Sequence, residues 1–233
     1  MTRTSQAAER AGTRLSAGLL AALVVVVGAV PLAVLVRSSW PPLVDGDLAV
    51  SRTAEGWVEA SGGLLLAARA VTLLGDPVLL TVAAAVIAVV LVRRGRPRLA
   101  AYVVAARIGA VVLSSSLKLA VDRARPVFDE PVATALGASF PSGHALGAAA
   151  FWATAAVLLQ PYVRRGRPLL GAAVLIAVAV AASRVLLGVH YLSDVAAGLA
   201  IGLGWAALCT AVFAAWRHDE GRPVDVVREG LGR

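Results

Sequence analysis

Six apolar runs alternate with short polar segments along the chain, at about 15–36, 77–92, 99–117, 145–160, 168–187 and 195–216. Each is close to the ~20 apolar residues that a helix needs to cross a bilayer, and none shows the period-two alternation of a half-buried strand. The pattern predicts an all-α, polytopic membrane helical bundle with six transmembrane helices over 15–216. Tails at 1–14 and 217–233 flank it. Residues 57–74 are apolar too, but Glu59, Gly62, Gly63 and Arg69 interrupt them. They read as an interfacial helix on the outer side. The Gly75-Asp76-Pro77 triplet breaks that run before the second span. The first run follows Arg3, Arg10 and Arg14 and lacks a small-x-small cleavage site, so it reads as a retained anchor.

Composition supports the pattern. The 233 residues are 59% hydrophobic and 15% charged, against about 25% charged in an average soluble domain. Mean hydropathy is +0.80. Six spans with short loops use up the chain and leave no length for a second, soluble domain. The net charge of +8 does not point to nucleic acid, because the basic residues sit in short clusters between apolar runs. Arg-rich clusters at the N-terminus, 93–98, 164–167 and after Trp216 hold 14 of the 22 basic residues. Six spans put all four on one side, which the positive-inside bias makes cytoplasmic. Both termini are then cytoplasmic, and 37–76, 118–144 and 188–194 face outward. Heavy use of Arg, Ala and Val suggests a GC-rich bacterial genome, hence a bacterial cytoplasmic membrane.

Cys209 stands alone within an apolar run and reads as a small buried hydrophobe. Arg107 is the one charge deep in a span. Such a charge is a functional candidate, although snorkelling toward the cytoplasmic end is the plainer reading. The Asp45–Ala49 segment, DGDLA, resembles the Asp-x-Asp-x-Thr/Val nucleophile of magnesium-dependent phosphatases but departs from it at Ala49, and reads as a loop turn.

The candidate chemistry collects at the outer ends of the spans. The third span ends in KLAVDRARP, with Lys118, Arg123, Arg125 and Pro126. The fourth opens with Pro141, Ser142, Gly143 and His144. The fifth leads into Ser183, Arg184, His190 and Asp194. Lys118 is the only lysine beside 21 arginines. It shares a helix face with Arg125, seven residues on, if the helix persists to the proline. Lys118, Arg125 and Arg184 form a cationic set suited to a multi-oxygen anion. Ser142 and Gly143, at a helix start, add backbone N–H groups and the helix dipole. His190 and Asp194 are spaced i and i+4. The carboxylate can fix one imidazole nitrogen and leave the other as a nucleophile. His144 is then the group to protonate a leaving oxygen. Two histidines with few carboxylates make a poor zinc or magnesium centre.

The three segments, Lys118-x6-Arg125-Pro126, Pro141-Ser142-Gly143-His144 and Ser183-Arg184-x5-His190-x3-Asp194, resemble in order and spacing the signatures of the type 2 phosphatidic acid phosphatase family. That superfamily also holds vanadium haloperoxidases. The resemblance implies a membrane lipid phosphatase with no cofactor and no metal. His190 would form a phosphohistidine, Asp194 would orient it, and His144 would serve the leaving group and later water. Lys118, Arg125, Ser142, Gly143 and Arg184 would hold the phosphoryl oxygens. The substrate would be a lipid phosphate or diphosphate taken from the outer leaflet, of undecaprenyl diphosphate, phosphatidic acid or phosphatidylglycerol phosphate type. Membrane lipids are the other expected partners, with no nucleic acid; protein partners are not legible. The alternatives are a vanadate-dependent haloperoxidase, which six spans disfavour, and an anion transporter, which would need polar residues through the membrane.

Overall fold

The computed structural model describes Ser16, Leu23 and residues 29–163 and 167–219. All regular structure among the described residues is helical. Helix α1 is described over 29–37. It is followed by α2 (Pro41–Glu59), α3 (Gly62–Thr72), α4 (Pro77–Arg93), α5 (Pro97–Val121), α6 (Gly143–Leu159), α7 (Arg167–Leu186) and α8 (Leu192–Asp219). Single 3-10 turns follow α3 and α6.

Local chemistry sets the helix starts. The Asp76 carboxylate caps α4 by accepting from the Val78 and Leu79 backbone N–H groups, both at 2.9 Å, and Pro77 takes the first helical position. Pro97 opens α5 in the same way, and Ser142 is the N-cap of α6. Helix α5 ends when Asp122 enters the left-handed region at φ 47°. The last helical residue, Val121, is four residues beyond the apolar run, so Lys118 lies on the last helical turn.

Among the described residues, four helices have the length and apolar character to cross a membrane: Pro97–Val121, Gly143–Tyr162, Pro168–Leu186 and Leu192–Ala214. The α2–α3 pair qualifies as a fifth when taken together, bent by 114° at its break. Helix α4, at 17 residues, is a shorter apolar helix, about 26 Å long at 1.5 Å per residue. It is apolar all round: Leu80, Ala84 and Ala88 face the bundle, while Val78, Val82, Val86 and Val89 are exposed. In water that exposure would be unfavourable; against lipid it is the expected surface. Most of the expected first span, the 1–14 tail, the 164–166 cluster and residues 220–233 lie outside the described residues.

Helix α6 occupies the centre, packed most extensively against α8 and α7 and also against α5 and α4. Ala145, Leu146, Ala148, Ala149 and Ala150 are at most 1% exposed. Small residues let the backbones approach. A Cβ at Gly198 of α8 would lie 2.7 Å from the Ser142 carbonyl oxygen, and one at Gly202 would collide with that of Leu146. This pins the start of α6 against the first turns of α8, where Asp194 sits.

Three expectations need correction. The segment expected to carry one interfacial helix at 57–74 begins in the last turn of α2 and continues as α3, with a break at Ala60–Ser61, where the Ser61 hydroxyl caps α3. The DGDLA stretch is no loop turn: it lies inside α2, and Asp47 is 3% exposed. Arg107 does not snorkel to the cytoplasmic end. It is buried, with Nε donating to Thr81 Oγ1 at 3.0 Å and a terminal nitrogen to the Pro77 carbonyl at 2.7 Å. It ties α5 to the first turn of α4, which offers acceptors that lipid does not.

Candidate active site

Three chain segments converge at one end of the bundle: the 122–142 stretch after α5, the start of α6, and the 187–194 turn joining α7 to α8. His190 lies in that turn and is 2% exposed. Gly188, at φ 67°, makes the turn; a Cβ there would meet the Phe128 ring at 2.8 Å. The Asp194 carboxylate is fully buried. Its Oδ2 accepts from the Ser139 hydroxyl at 2.5 Å and the Tyr191 backbone N–H at 2.9 Å. His190 Nδ1 stands 3.5 Å from that oxygen and 3.3 Å from Ser139 Oγ. Ser139 is thus set between imidazole and carboxylate.

The other ring nitrogen, Nε2, is 3.2 Å from a terminal nitrogen of Arg125. A guanidinium only donates, so Nε2 is the acceptor and carries the lone pair. The ring proton then belongs on Nδ1, facing Ser139 and Asp194. Burial lowers the His190 pKa to about 4, against the opposing pull of Asp194; the Arg125 and Arg184 charges add to the lowering. The imidazole is therefore neutral across the physiological range.

Arg125 is anchored by backbone carbonyls. Nε donates to Gly137 at 2.9 Å, and the terminal nitrogens donate to Val189 at 2.7 Å, Leu136 at 3.0 Å and Ala138 at 3.3 Å. Lys118 Nζ also donates to the Ala138 carbonyl. Arg184, on the last turn of α7, donates to Thr72 Oγ1 at 2.9 Å, while its buried Nε has no hydrogen-bond partner among the described residues. An unpaired buried donor on a cation is costly and calls for an acceptor. His144, on the first turn of α6, has no ring hydrogen bond among the described residues, and its half-buried side chain borders Gly75. Ser142 is buried, with its N–H on the Asp194 carbonyl at 3.0 Å and its hydroxyl capping Ala145 N at 3.5 Å. Gly143, next in line, has one of the four first-turn N–H groups without an intrahelical acceptor. A Cβ there would lie 3.2 Å from Ser114 Oγ.

Six of the eight candidate residues lie on the converging segments, and Lys118 and Arg184 come from the last turns of α5 and α7 that lead into them, but two local arrangements differ from expectation. Lys118 and Arg125 do not share a helix face, since α5 ends at Val121 and Arg125 comes from extended chain. They meet instead at Ala138. Ser142 spends its N–H and hydroxyl on protein partners. Ser139 was missed altogether; its only sequence signal is a position two residues before the PSGH segment. Arg123, noted among the cations but given no role, bridges two buried carboxylates: it donates to Asp194 Oδ1 at 2.8 Å and Asp47 Oδ2 at 2.7 Å. Among the described residues no three His, Cys, Asp or Glu side chains converge as a metal site would require.

Comparison with known proteins bears on the fold and the family. Residues 98–218, just over half the chain, match the profile of the PAP2 superfamily. A lipid A 1-phosphatase from Rhizobium etli is 38% identical over 110 residues, covering 43% of this chain and 44% of that protein. A phosphatidylglycerophosphatase B from Bacillus subtilis is 38% identical over 96 residues, covering 40% and 47%. The matched stretch thus spans less than half the length of these curated relatives. The crystal structure of a transmembrane PAP2-type phosphatidylglycerolphosphate phosphatase from Bacillus subtilis superposes with a TM-score of 0.74 at 24% identity, over 87% of this chain and 98% of that one. That likeness establishes a shared fold, and with the profile match and the ordered signature segments the chain belongs to the PAP2 superfamily.

Proposed function

We propose that the protein is a membrane lipid phosphatase that hydrolyses a lipid phosphate or diphosphate through a phosphohistidine on His190. The observation that carries this reading is the orientation of His190. One ring nitrogen is held by Ser139 and Asp194, and the lone pair of the other faces the Arg125 guanidinium at 3.2 Å. A nucleophile beside an anion-binding cation is what in-line phosphoryl transfer needs.

In the first step Nε2 attacks phosphorus and the P–O bond to the leaving group breaks. The departing oxygen takes a proton from His144. In the second, His144 removes a proton from water, whose oxygen attacks phosphorus. The P–N bond then breaks, its electrons returning to Nε2 and releasing phosphate. Asp194, through Ser139, holds the ring and stabilises its developing positive charge. Lys118, Arg125 and Arg184 bear on the phosphoryl oxygens, with the unpaired Nε of Arg184 offering a free donor. Gly143 contributes N–H at the mouth of α6, and Ser142 serves the cradle by capping that helix. Preorganised cations of this kind supply transition-state charge, so no metal is assigned a step.

The reading includes six spans with both termini cytoplasmic and an outward-facing site in a bacterial cytoplasmic membrane, supported by the clustered arginines. The substrate class is an outer-leaflet lipid of undecaprenyl diphosphate, phosphatidic acid or phosphatidylglycerol phosphate type. Phosphate release by the purified chain, measured over these three lipids in mixed micelles, tests the function. Turnover should survive excess EDTA, be inhibited by orthovanadate, and vanish in His190→Ala. Full turnover by His190→Ala would exclude the mechanism; loss on chelation restored by magnesium would exclude its metal-free form.

A further inference from the structure

The Arg123 guanidinium joins two carboxylates that come from opposite ends of the chain. One terminal nitrogen donates to Asp194 Oδ1 at 2.8 Å and to Ser193 Oγ at 2.7 Å; the other donates to Asp47 Oδ2 at 2.7 Å. Asp47 in turn accepts from the Ser193 backbone N–H at 2.9 Å and from its hydroxyl. The plane of the guanidinium is fixed by Tyr191, whose ring centroid lies 4.0 Å from its central carbon. The carboxylates are 3% and 0% exposed and the arginine side chain 11%. Asp47 sits in α2, outside the 98–218 stretch that carries the family match.

Burying an arginine with two carboxylates is expensive, and apolar residues of similar volume would often be as stable. Stability alone is therefore a weak reason for the cluster. Its geometry offers another. Arg123 occupies Oδ1 of Asp194, which leaves Oδ2 to Ser139, Tyr191 N–H and His190. Asp47 grips the far side of Arg123 and the first turn of α8, so neither the arginine nor Asp194 can rotate independently.

We infer that Asp47 and Arg123 are positioning residues for His190: they lock the rotation of the Asp194 carboxylate and balance its charge. The inference rests on the reading of His190 as the nucleophile. A planar fork is required, because the ammonium of lysine cannot span both carboxylates.

The two charges act on His190 with opposite sign. Removing the Arg123 cation favours the protonated imidazole and moves the acid limb of kcat/KM to higher pH. Removing the Asp47 anion moves it to lower pH. The other groups bearing on His190 and Asp194 are Lys118 of α5, Arg125, His144 of α6 and Arg184 of α7. They are the same in both variants.

The test uses the purified full chain in detergent with a lipid phosphate substrate, comparing Asp47→Asn, Arg123→Gln and Arg123→Lys with wild type. Each should lower kcat by roughly tenfold or more with KM little changed, as expected for misplaced catalytic geometry. The acid limbs of Asp47→Asn and Arg123→Gln should move apart. Ser193→Ala cuts only the hydroxyl tie and serves if Arg123→Gln does not fold; with Asp47→Asn it should lose less than the product of the single losses. Unchanged kcat, limbs that do not move apart, or losses that merely follow the folded fraction overturn the inference. Wild-type chain that releases no phosphate, or an active His190→Ala, would instead overturn the underlying function.

Discussion

Replacing Asp194 with asparagine keeps the shape of the side chain and removes one acceptor and one charge. The carboxylate uses both oxygens: Oδ1 takes Arg123 at 2.8 Å, and Oδ2 takes Ser139 Oγ at 2.5 Å and Tyr191 N–H at 2.9 Å. An asparagine has one oxygen and a donating NH2. If its oxygen faces Arg123, the NH2 meets the Tyr191 N–H and drives the Ser139 hydroxyl to accept. Its O–H is then free to donate to His190 Nδ1, which favours the tautomer protonated on Nε2, removes the lone pair proposed as nucleophile and sets that N–H against the Arg125 donor. If the amide flips, its NH2 abuts the Arg123 guanidinium, leaving a buried cation without its acceptor at a cost of about 1.5–3 kcal/mol. Both orientations also lose the negative charge that stabilises the ring as its Nε2 bonds to phosphorus. The same exchange in a serine-protease triad lowers kcat about 10⁴-fold. Here Ser139 retains part of the ring's orientation, so the expected fall is about 10³-fold, or roughly 4 kcal/mol of transition-state stabilisation. Initial rates of phosphate release over a range of substrate concentrations separate kcat from KM, and size-exclusion chromatography verifies the folded state. A folded Asp194→Asn protein retaining more than a tenth of wild-type kcat would refute the reasoning.

Lys118→Arg should be far from conservative. Lys118 Nζ and Arg125 already converge on the Ala138 carbonyl, and a second wide fork would displace the first. Turnover should fall at least tenfold, roughly 1.4 kcal/mol, at normal expression; wild-type rates would show that the lone lysine answers no geometric demand. The pH profile is set by His190, which burial lowers from 6.5 to about 4. In the proposed mechanism its neutral form is the nucleophile, so the acid limb of kcat/KM assigned to it should lie near 4; a limb at 6.5 would contradict the buried imidazole. The folded state resists this protonation while the unfolded chain accepts it, so His190 also lowers stability as pH falls from 6.5 to about 4. Thermal melts at stepped pH should show that decline. For sidedness, a cysteine replacing Asp129 in a Cys209→Ser background should react with an impermeant maleimide in intact cells, and one replacing Arg94 only after lysis. The reverse pattern would overturn the proposed orientation.

Hydrophobic runs were enough to determine the helical, membrane-embedded character of the chain, because a bilayer demands ~20 apolar residues per crossing whatever the tertiary fold. The runs at 99–117, 145–160, 168–187 and 195–216 correspond to α5–α8. The three signature segments carried all eight candidate residues, and they hold the one lysine and two of the three histidines of the chain. Local chemistry was legible where it is local: Asp76-Pro77 starts α4, and Ser142 caps α6. What only the tertiary structure decided is non-local. Asp47 is separated by 76 residues from Arg123 and by 146 from Ser193. No periodicity links them; they meet because α2 packs against the ends of α7 and α8. Ser139 was invisible for the same reason, as its partners lie 51 and 55 residues away. Where α5 would stop was also undecided. A helix to Pro126 satisfies the one-dimensional pattern, but Asp122 turns left-handed and the chain beyond it is extended. The Ser139 N–H then bonds the Arg123 carbonyl at 2.8 Å, a contact between two chain segments that sequence spacing alone does not specify.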